Sequence, residues 1–117
     1  MAKFLMLLHE TPGAFDGNSP DENQQIIQKY VAWVEKMQSQ GKMHEHAKLR
    51  DEGGRALRKD GSSVLVTDGP YSETKEVIAG YFVIEADNYD QAVKVAEDCP
   101  HLTYGWVTLR EHDPLEH

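Results

Sequence analysis

The residues best suited to chemistry lie in one short segment, Asp68 to Glu76, which reads Asp-Gly-Pro-Tyr-Ser-Glu-Thr-Lys-Glu. Gly69 allows the backbone to approach a ligand closely, and Pro70 fixes the conformation of the turn. A conformationally fixed loop at the end of a sheet is a usual place for a binding site. Asp68 is the candidate general acid or base. The candidate ligand-binding residues of the segment are Gly69, Pro70, Tyr71, Glu73 and Lys75. A tight turn with solvated charges is the alternative interpretation.

Two histidines are candidate catalytic partners of Asp68. His9 ends the first predicted strand, and His101 follows the second predicted helix. Either imidazole could approach the same loop and act as a general base, because histidine changes its protonation state near neutral pH. A hydrogen-bonded structural histidine is the alternative for each of them.

Aromatic residues and a second histidine pair complete the set of candidates. Tyr81 and Trp106 could line an apolar ligand cavity together with Tyr71, although aromatic residues in strands also form plain cores. His44 and His46 have the i, i+2 spacing that places two side chains on one face of a strand. No third metal ligand is indicated, and we predict neither a metal nor another cofactor.

Hydrophobic patterning predicts the elements that must position these residues. Strands are expected at residues 3–10, 43–49, 77–86 and 106–110, with a hairpin at 55–67 that turns at Asp60-Gly61. The run Ser19-Pro20-Asp21-Glu22 predicts a capped helix start, Gly41 its end, and Asn88 the cap of a second helix at 89–98. The apolar stripes of these helices are expected to be buried, and they comprise Ile27, Tyr30, Val31, Val34 and Met37 in the first helix, and Tyr89, Ala92, Val93 and Ala96 in the second.

This order of elements is typical of an α+β, ferredoxin-like βαββαβ fold with an inserted hairpin. An antiparallel sheet would carry both helices on one face. The strands at 3–10 and 77–86 are largely apolar on both faces, so the second face of the sheet should also be covered. A twofold copy of the same chain would cover it, and we predict a homodimer.

Composition limits the function classes. The 117 residues suit one domain, predicted at 1–114, and residues 115–117 resemble the start of a vector-encoded histidine tag. A net charge of −8 without a basic stripe argues against nucleic-acid binding. No apolar run is long enough for a membrane span, and the single cysteine, Cys99, cannot form an internal disulfide. A cytoplasmic protein is therefore expected.

The Asp68 segment also carries a family resemblance. The run Val-Thr-Asp-Gly-Pro-Tyr-Ser-Glu-Thr-Lys-Glu, followed by Ile78, Gly80-Tyr81 and Ile84-Glu85, resembles the DGPF branch of the YCII-related proteins. The similarity extends over the opening strand, the first helix and the run from Cys99-Pro100-His101-Leu102 to Gly105. Tyr71 replaces the usual phenylalanine of the motif, and Ala79 stands where the family often has glycine.

The resemblance implies a fold of the dimeric α/β-barrel group and leaves the activity open. Members are often encoded beside, or fused to, extracytoplasmic-function sigma factors. In the YCII branch proper, a histidine on the first helix and an aspartate in the Gly-Pro region form an acid–base dyad. The aspartate corresponds to Asp68, whereas residues 21–40 contain no histidine.

Three functions remain open on these grounds. The first is a domain that binds a small molecule in a pocket near Asp68. The second is a cofactor-independent lyase or isomerase for a small organic acid or lactone, with Asp68 as acid or base, His9 or His101 as its partner, and Glu73 and Lys75 holding the substrate. The third is a structural or regulatory interaction module linked to sigma-factor signalling.

Overall fold

The computed structural model describes residues 2–52, 54–68 and 76–114, and for Asp68 it describes the backbone alone. The elements follow in the order β1 (Ala2–Glu10), α1 (Pro20–Ser39), β2 (Met43–Lys48), β3 (Arg55–Asp60), β4 (Ser63–Asp68), β5 (Val77–Ala86), α2 (Tyr89–Ala96), a 3₁₀ helix (Pro100–Thr103) and β6 (Trp106–Glu111). Within these residues, no helix is long and apolar enough to cross a membrane.

Four of the strands form one antiparallel sheet in the order β2-β5-β1-β6. The other two, β3 and β4, form a separate hairpin inserted between β2 and β5. The predicted ferredoxin-like βαββαβ fold with an inserted hairpin is confirmed. The hairpin turns one residue later than predicted, at Gly61 and Ser62, because Gly61 supplies the positive φ of 63° that the first position of the loop requires.

The core lies between the sheet and the two helices. Phe4, Met6 and Leu8 alternate along β1 towards the helices, and register pairs them with Ile84, Phe82 and Gly80 of β5. The buried apolar cluster comprises Phe4, Met6, Leu8, Trp33, Met37, Phe82, Ile84, Ala86, Ala92, Ala96 and Cys99. Both helices therefore cover the same face of the sheet, as predicted. Burial raises the pKa of the Cys99 thiol to about 11, which fits a packing role.

Helix α1 begins and ends as its sequence predicts. The hydroxyl of Ser19 accepts a hydrogen bond from the Glu22 amide, and the Glu22 carboxylate accepts one from the Ser19 amide. The helix ends at Ser39, and Gly41 follows with a φ of 69°, a conformation that favours glycine. Asn88 caps α2 in the predicted way, but α2 ends at Ala96, two residues early.

The expectation that the predicted apolar stripes are buried is wrong in part. On α1, Ile27 and Val31 are 53% and 48% exposed, whereas Trp33, outside the predicted stripe, is only 5% exposed. Ile27 and Val31 line a cavity, and Trp33 faces the core. On α2, Tyr89 and Val93 are half exposed, because the small side chains of Ala92 and Ala96 form the face that packs closely against the sheet.

Candidate functional site

A cavity of about 690 Å³ lies between α1 and the helix-facing side of the sheet. Its volume falls within the usual range for small-molecule pockets. The lining is mainly apolar on both walls. From α1 it includes Ile26, Ile27, Val31 and Val34, and from the strands it includes Leu8, Ala47, Ala79 and Phe82.

A buried histidine forms part of the polar lining. His101 is 1% exposed, and its Nε2 atom lies 2.7 Å from the carbonyl oxygen of His9. Because a carbonyl oxygen only accepts, Nε2 carries the proton and donates it. The Nδ1 atom is then the acceptor, and it receives a hydrogen bond of 2.8 Å from the hydroxyl of Tyr30. Both ring nitrogens of His101 are therefore satisfied by the protein.

The Tyr30–His101 pair is neutral at neutral pH. Burial lowers the pKa of His101, since the imidazolium form would lose its hydration, and the hydrogen bond to the His9 carbonyl opposes this only in part. Burial also raises the pKa of the Tyr30 hydroxyl well above its usual range. The pair therefore offers positioned hydrogen-bonding groups without a charge.

Gly105 allows the close approach of His101 to His9. A Cβ atom on Gly105 would overlap the carbonyl oxygen of His9 and lie 2.8 Å from Nε2 of His101. Only glycine leaves this space free, so residue 105 is part of the support of the site.

Glu10 adds an acidic group to the cavity wall. It is 8% exposed, and in the part of the chain that the structure describes its carboxyl group makes no hydrogen bond and no ion pair. Burial raises the pKa of Glu10, and the nearby charge of Lys48 opposes that change. Lys48 itself lies at the rim, where its ammonium group donates to Asp51 over 2.9 Å.

His9 and Trp106 lie on the other face of the sheet. Their rings stack with a centroid distance of 5.7 Å, and the His9 Nε2 atom lies 2.9 Å from the hydroxyl of Thr108. The Nδ1 atom of His9 is buried. It lies 3.7 Å from a carboxylate oxygen of Glu76, which is beyond hydrogen-bonding distance.

Tyr81 lies on that face as well, and its hydroxyl donates to Glu45 over 2.5 Å. This hydrogen bond raises the pKa of Tyr81. Neither Tyr81 nor Trp106 lines the cavity between α1 and the sheet.

The predicted site residues are thus only partly brought together. His101 contacts the cavity and the backbone of His9. The backbone of Asp68 pairs with Arg55 in the hairpin. The Asp68 side chain and Gly69, Pro70, Tyr71, Glu73 and Lys75 lie outside the described residues, so their predicted roles stay predictions.

His44 and His46 do not act as a pair. A β-bulge between Met43 and Glu45 breaks the alternation on which the expectation of a shared face relied. His44 contacts Glu85 over 2.8 Å, whereas His46 lines the cavity.

Sequence reasoning missed two residues of the site, Tyr30 and Glu10. Tyr30 was expected as an ordinary member of the apolar stripe, and its partner His101 is 71 positions away. Glu10 carried one usable signal, since it is an acidic residue at the end of a strand that is apolar on both faces.

Comparisons with known proteins agree on the fold. The family model described as YCII-related domain matches residues 2–114. An uncharacterized protein of Rhizobium meliloti (strain 1021) is 31% identical over 96 residues, which cover 81% of this chain and 77% of that protein. Among solved structures, a 5-chloro-2-hydroxyhydroquinone dehydrochlorinase of Burkholderia phenoliruptrix AC1100, in complex with 2,5-dihydroxybenzoquinone, matches with a TM-score of 0.54 and 12% identity over 95% of this chain and 93% of that one. At this identity the likeness bears on the fold alone.

Proposed function

Because this chain belongs to the YCII-related family, and because that membership does not specify a ligand, we propose its function from the cavity. The protein binds a small organic molecule between α1 and the sheet. The observation that carries the proposal is the cavity of about 690 Å³, with apolar walls and a buried Tyr30–His101 pair in its lining. Apolar walls with a few fixed polar groups are typical of ligand sites.

The exposed apolar residues of α1 support this proposal. Ile27 and Val31 lose favourable burial when nothing covers them, and both face into the concave space. A bound ring would cover them without any change of the core. The structural relative was solved with a six-membered ring compound, which makes small hydroxylated rings sensible first probes.

We further propose that the Asp68 segment contributes to the same site. Glu76, where the description resumes after that segment, has its carboxylate 3.7 Å from the imidazole of His9. His9 precedes Glu10 of the cavity wall, and its carbonyl oxygen accepts the hydrogen bond from His101. The end of the segment is therefore close to the residues that support the cavity.

Resorcinol is a suitable probe, with binding measured by ligand-observed NMR titration. Val31→Trp should fill the cavity and weaken binding by about tenfold or more, which corresponds to about 1.4 kcal/mol. Val93→Trp is the matched control, since Val93 is 46% exposed on α2 and does not line the cavity. Equal affinity in Val31→Trp and the wild type, or no binding by the wild type, would contradict the proposal.

Acid–base catalysis is the second candidate, and the buried His9 favours it. Thr108 orients the imidazole, and its Nδ1 atom has no hydrogen-bond partner among the described residues. In this proposal His9 and Asp68 exchange a proton with a substrate bound beside the His9 imidazole, on the face of the sheet opposite the cavity, and His101 holds the backbone of His9 in place. Turnover would change the spectrum of the probe during incubation, whereas an unchanged spectrum would favour binding alone.

A further inference from the structure

We propose that Glu10 accepts a hydrogen bond from a hydroxyl group of the ligand, so that the cavity selects neutral, hydroxyl-bearing rings over carboxylates. This inference rests on the proposed binding function and adds a ligand class and a recognition residue to it.

The first argument is the missing partner of Glu10. Glu10 lies in the cavity wall, and its carboxyl group has no hydrogen-bond or ion-pair partner within residues 2–52, 54–68 and 76–114. Its oxygens are accessible from the cavity, since the buried side-chain atom without a partner among these residues is Nδ1 of His9. A carboxylate that faces a cavity without a protein donor can accept a hydrogen bond from a ligand. Other acidic groups of the fold are paired, and the examples are Glu45 with Tyr81, Glu85 with His44, and Asp98 with Lys36 and Trp33. A ligand donor would supply what Glu10 lacks.

The second argument is that the buried groups accept rather than donate. The hydroxyl proton of Tyr30 is used in the bond to His101, so its oxygen has only lone pairs left to offer. His101 has no free nitrogen. Tyr30 and Glu10 line the same cavity, and the charge of Glu10 adds to the effect of burial in raising the pKa of the Tyr30 hydroxyl. A ligand at this position must therefore bring donors.

The third argument is the balance of charge around the cavity. Among the described residues, its acidic lining residues are Glu10, Glu35 and Asp51, and the one lysine, Lys48, already donates to Asp51. Burial also raises the pKa of Glu10, as expected for a carboxyl group that lacks donors. A ligand carboxylate beside Glu10 would therefore meet like charge, whereas a neutral hydroxyl group would not.

Three ligands with one ring separate these contributions. Resorcinol has two hydroxyl donors, 1,3-dimethoxybenzene has the same substitution without donors, and 3,5-dihydroxybenzoate adds a carboxylate. Wild-type protein should bind resorcinol about tenfold or more tightly than either of the others, since a hydrogen bond to a charged group contributes that much to affinity. Dissociation constants from NMR titration at neutral pH measure the ratios.

Variants of Glu10 assign the preference to one carboxyl group. In Glu10→Leu, resorcinol and 1,3-dimethoxybenzene should bind about equally. Glu10→Gln keeps a neutral acceptor, so it should retain a preference for resorcinol while binding 3,5-dihydroxybenzoate more tightly than the wild type does. Glu35→Leu is the matched control, because Glu35 lines the same cavity but is exposed, and it should keep the wild-type ratio between resorcinol and 1,3-dimethoxybenzene.

The outcomes distinguish the two proposals. If wild-type protein binds resorcinol and 1,3-dimethoxybenzene equally, or if Glu10→Leu keeps the preference, the role of Glu10 is wrong and the binding function stands. If none of the three ligands binds, both proposals are wrong.

Discussion

The imidazole of His101 is a structural group whose two hydrogen bonds join three parts of the chain. It connects Tyr30 of α1 and the backbone of His9 in β1 to the 3₁₀ helix. Protonation would place a second proton on Nδ1, where the Tyr30 hydroxyl now donates, and would put a charge in a buried space. The position of α1 over the sheet therefore depends on the neutral form of His101.

This dependence predicts a loss of stability in mild acid. Burial lowers the pKa of His101 in the folded chain below its ordinary value of 6.5, so its contribution is complete above that pH and is lost as the pH falls through the folded value. The free energy of unfolding in urea should fall between pH 7.5 and pH 5.5. His101→Gln should lower the free energy of unfolding by about 1–3 kcal/mol at pH 7.5. It should also reduce the slope of that free energy against pH.

His112→Gln is the control for that experiment, because His112 is exposed. Its slope should match that of the wild type. Glu10 acts in the opposite direction, since its folded pKa is raised and protonation favours the folded chain. Comparing His101→Gln with the wild type cancels the contribution of Glu10, because both proteins contain that residue. An equal pH dependence in both proteins would show that folding does not lower the pKa of His101, which would contradict the prediction.

Among the elements, α1 contributes side chains both to the core and to the cavity. Trp33 and Met37 enter the core, while Ile27 and Val31 face the cavity. Asp98, just beyond α2, holds the helix through two contacts. It accepts from the Trp33 indole over 2.8 Å and from the Lys36 ammonium group over 2.7 Å.

Removing this carboxylate should destabilise the chain through the indole rather than through the lysine. Asp98→Ala leaves the N–H group of a buried tryptophan without its acceptor, which costs about 1–3 kcal/mol. Lys36→Ala removes an exposed ion pair and should cost at most about 1 kcal/mol. Urea unfolding measures both values, and similar costs for the two variants would contradict this assignment.

The elements were largely predictable from local sequence, and the site was not. The capping residues Ser19 and Asn88, and the alternation of β1 and β5, gave the helices, strands and sheet faces because those signals are local. The stripe on α1 could not separate core from cavity, since apolar residues suit both. Tyr30 and His101 become a pair only when the 3₁₀ helix is folded against α1, which no spacing along the chain reveals.

At the scale of the whole molecule, the face of the sheet opposite the helices is apolar and is not covered by any other described element. Leu5 and Leu7 of β1 and Tyr81 and Val83 of β5 share this face by register, opposite the helices, and each is only half-buried in the single chain. Charged groups at the edges include Lys3, Glu45 and Arg110. An apolar centre with a charged rim is typical of an interface.

We therefore predict that two chains pair through this face. Light scattering after gel filtration should give the mass of two chains of 13.3 kDa. Leu7→Glu would place a carboxylate at the centre of the contact, where burial of a charge without a partner is costly. This variant should be a folded monomer. Leu102→Glu is the control, since Leu102 is exposed in the 3₁₀ helix away from the open face, and it should stay paired. A wild-type protein that is monomeric at all concentrations would contradict the predicted dimer. A dimeric Leu7→Glu variant would show that the dimer forms through another surface.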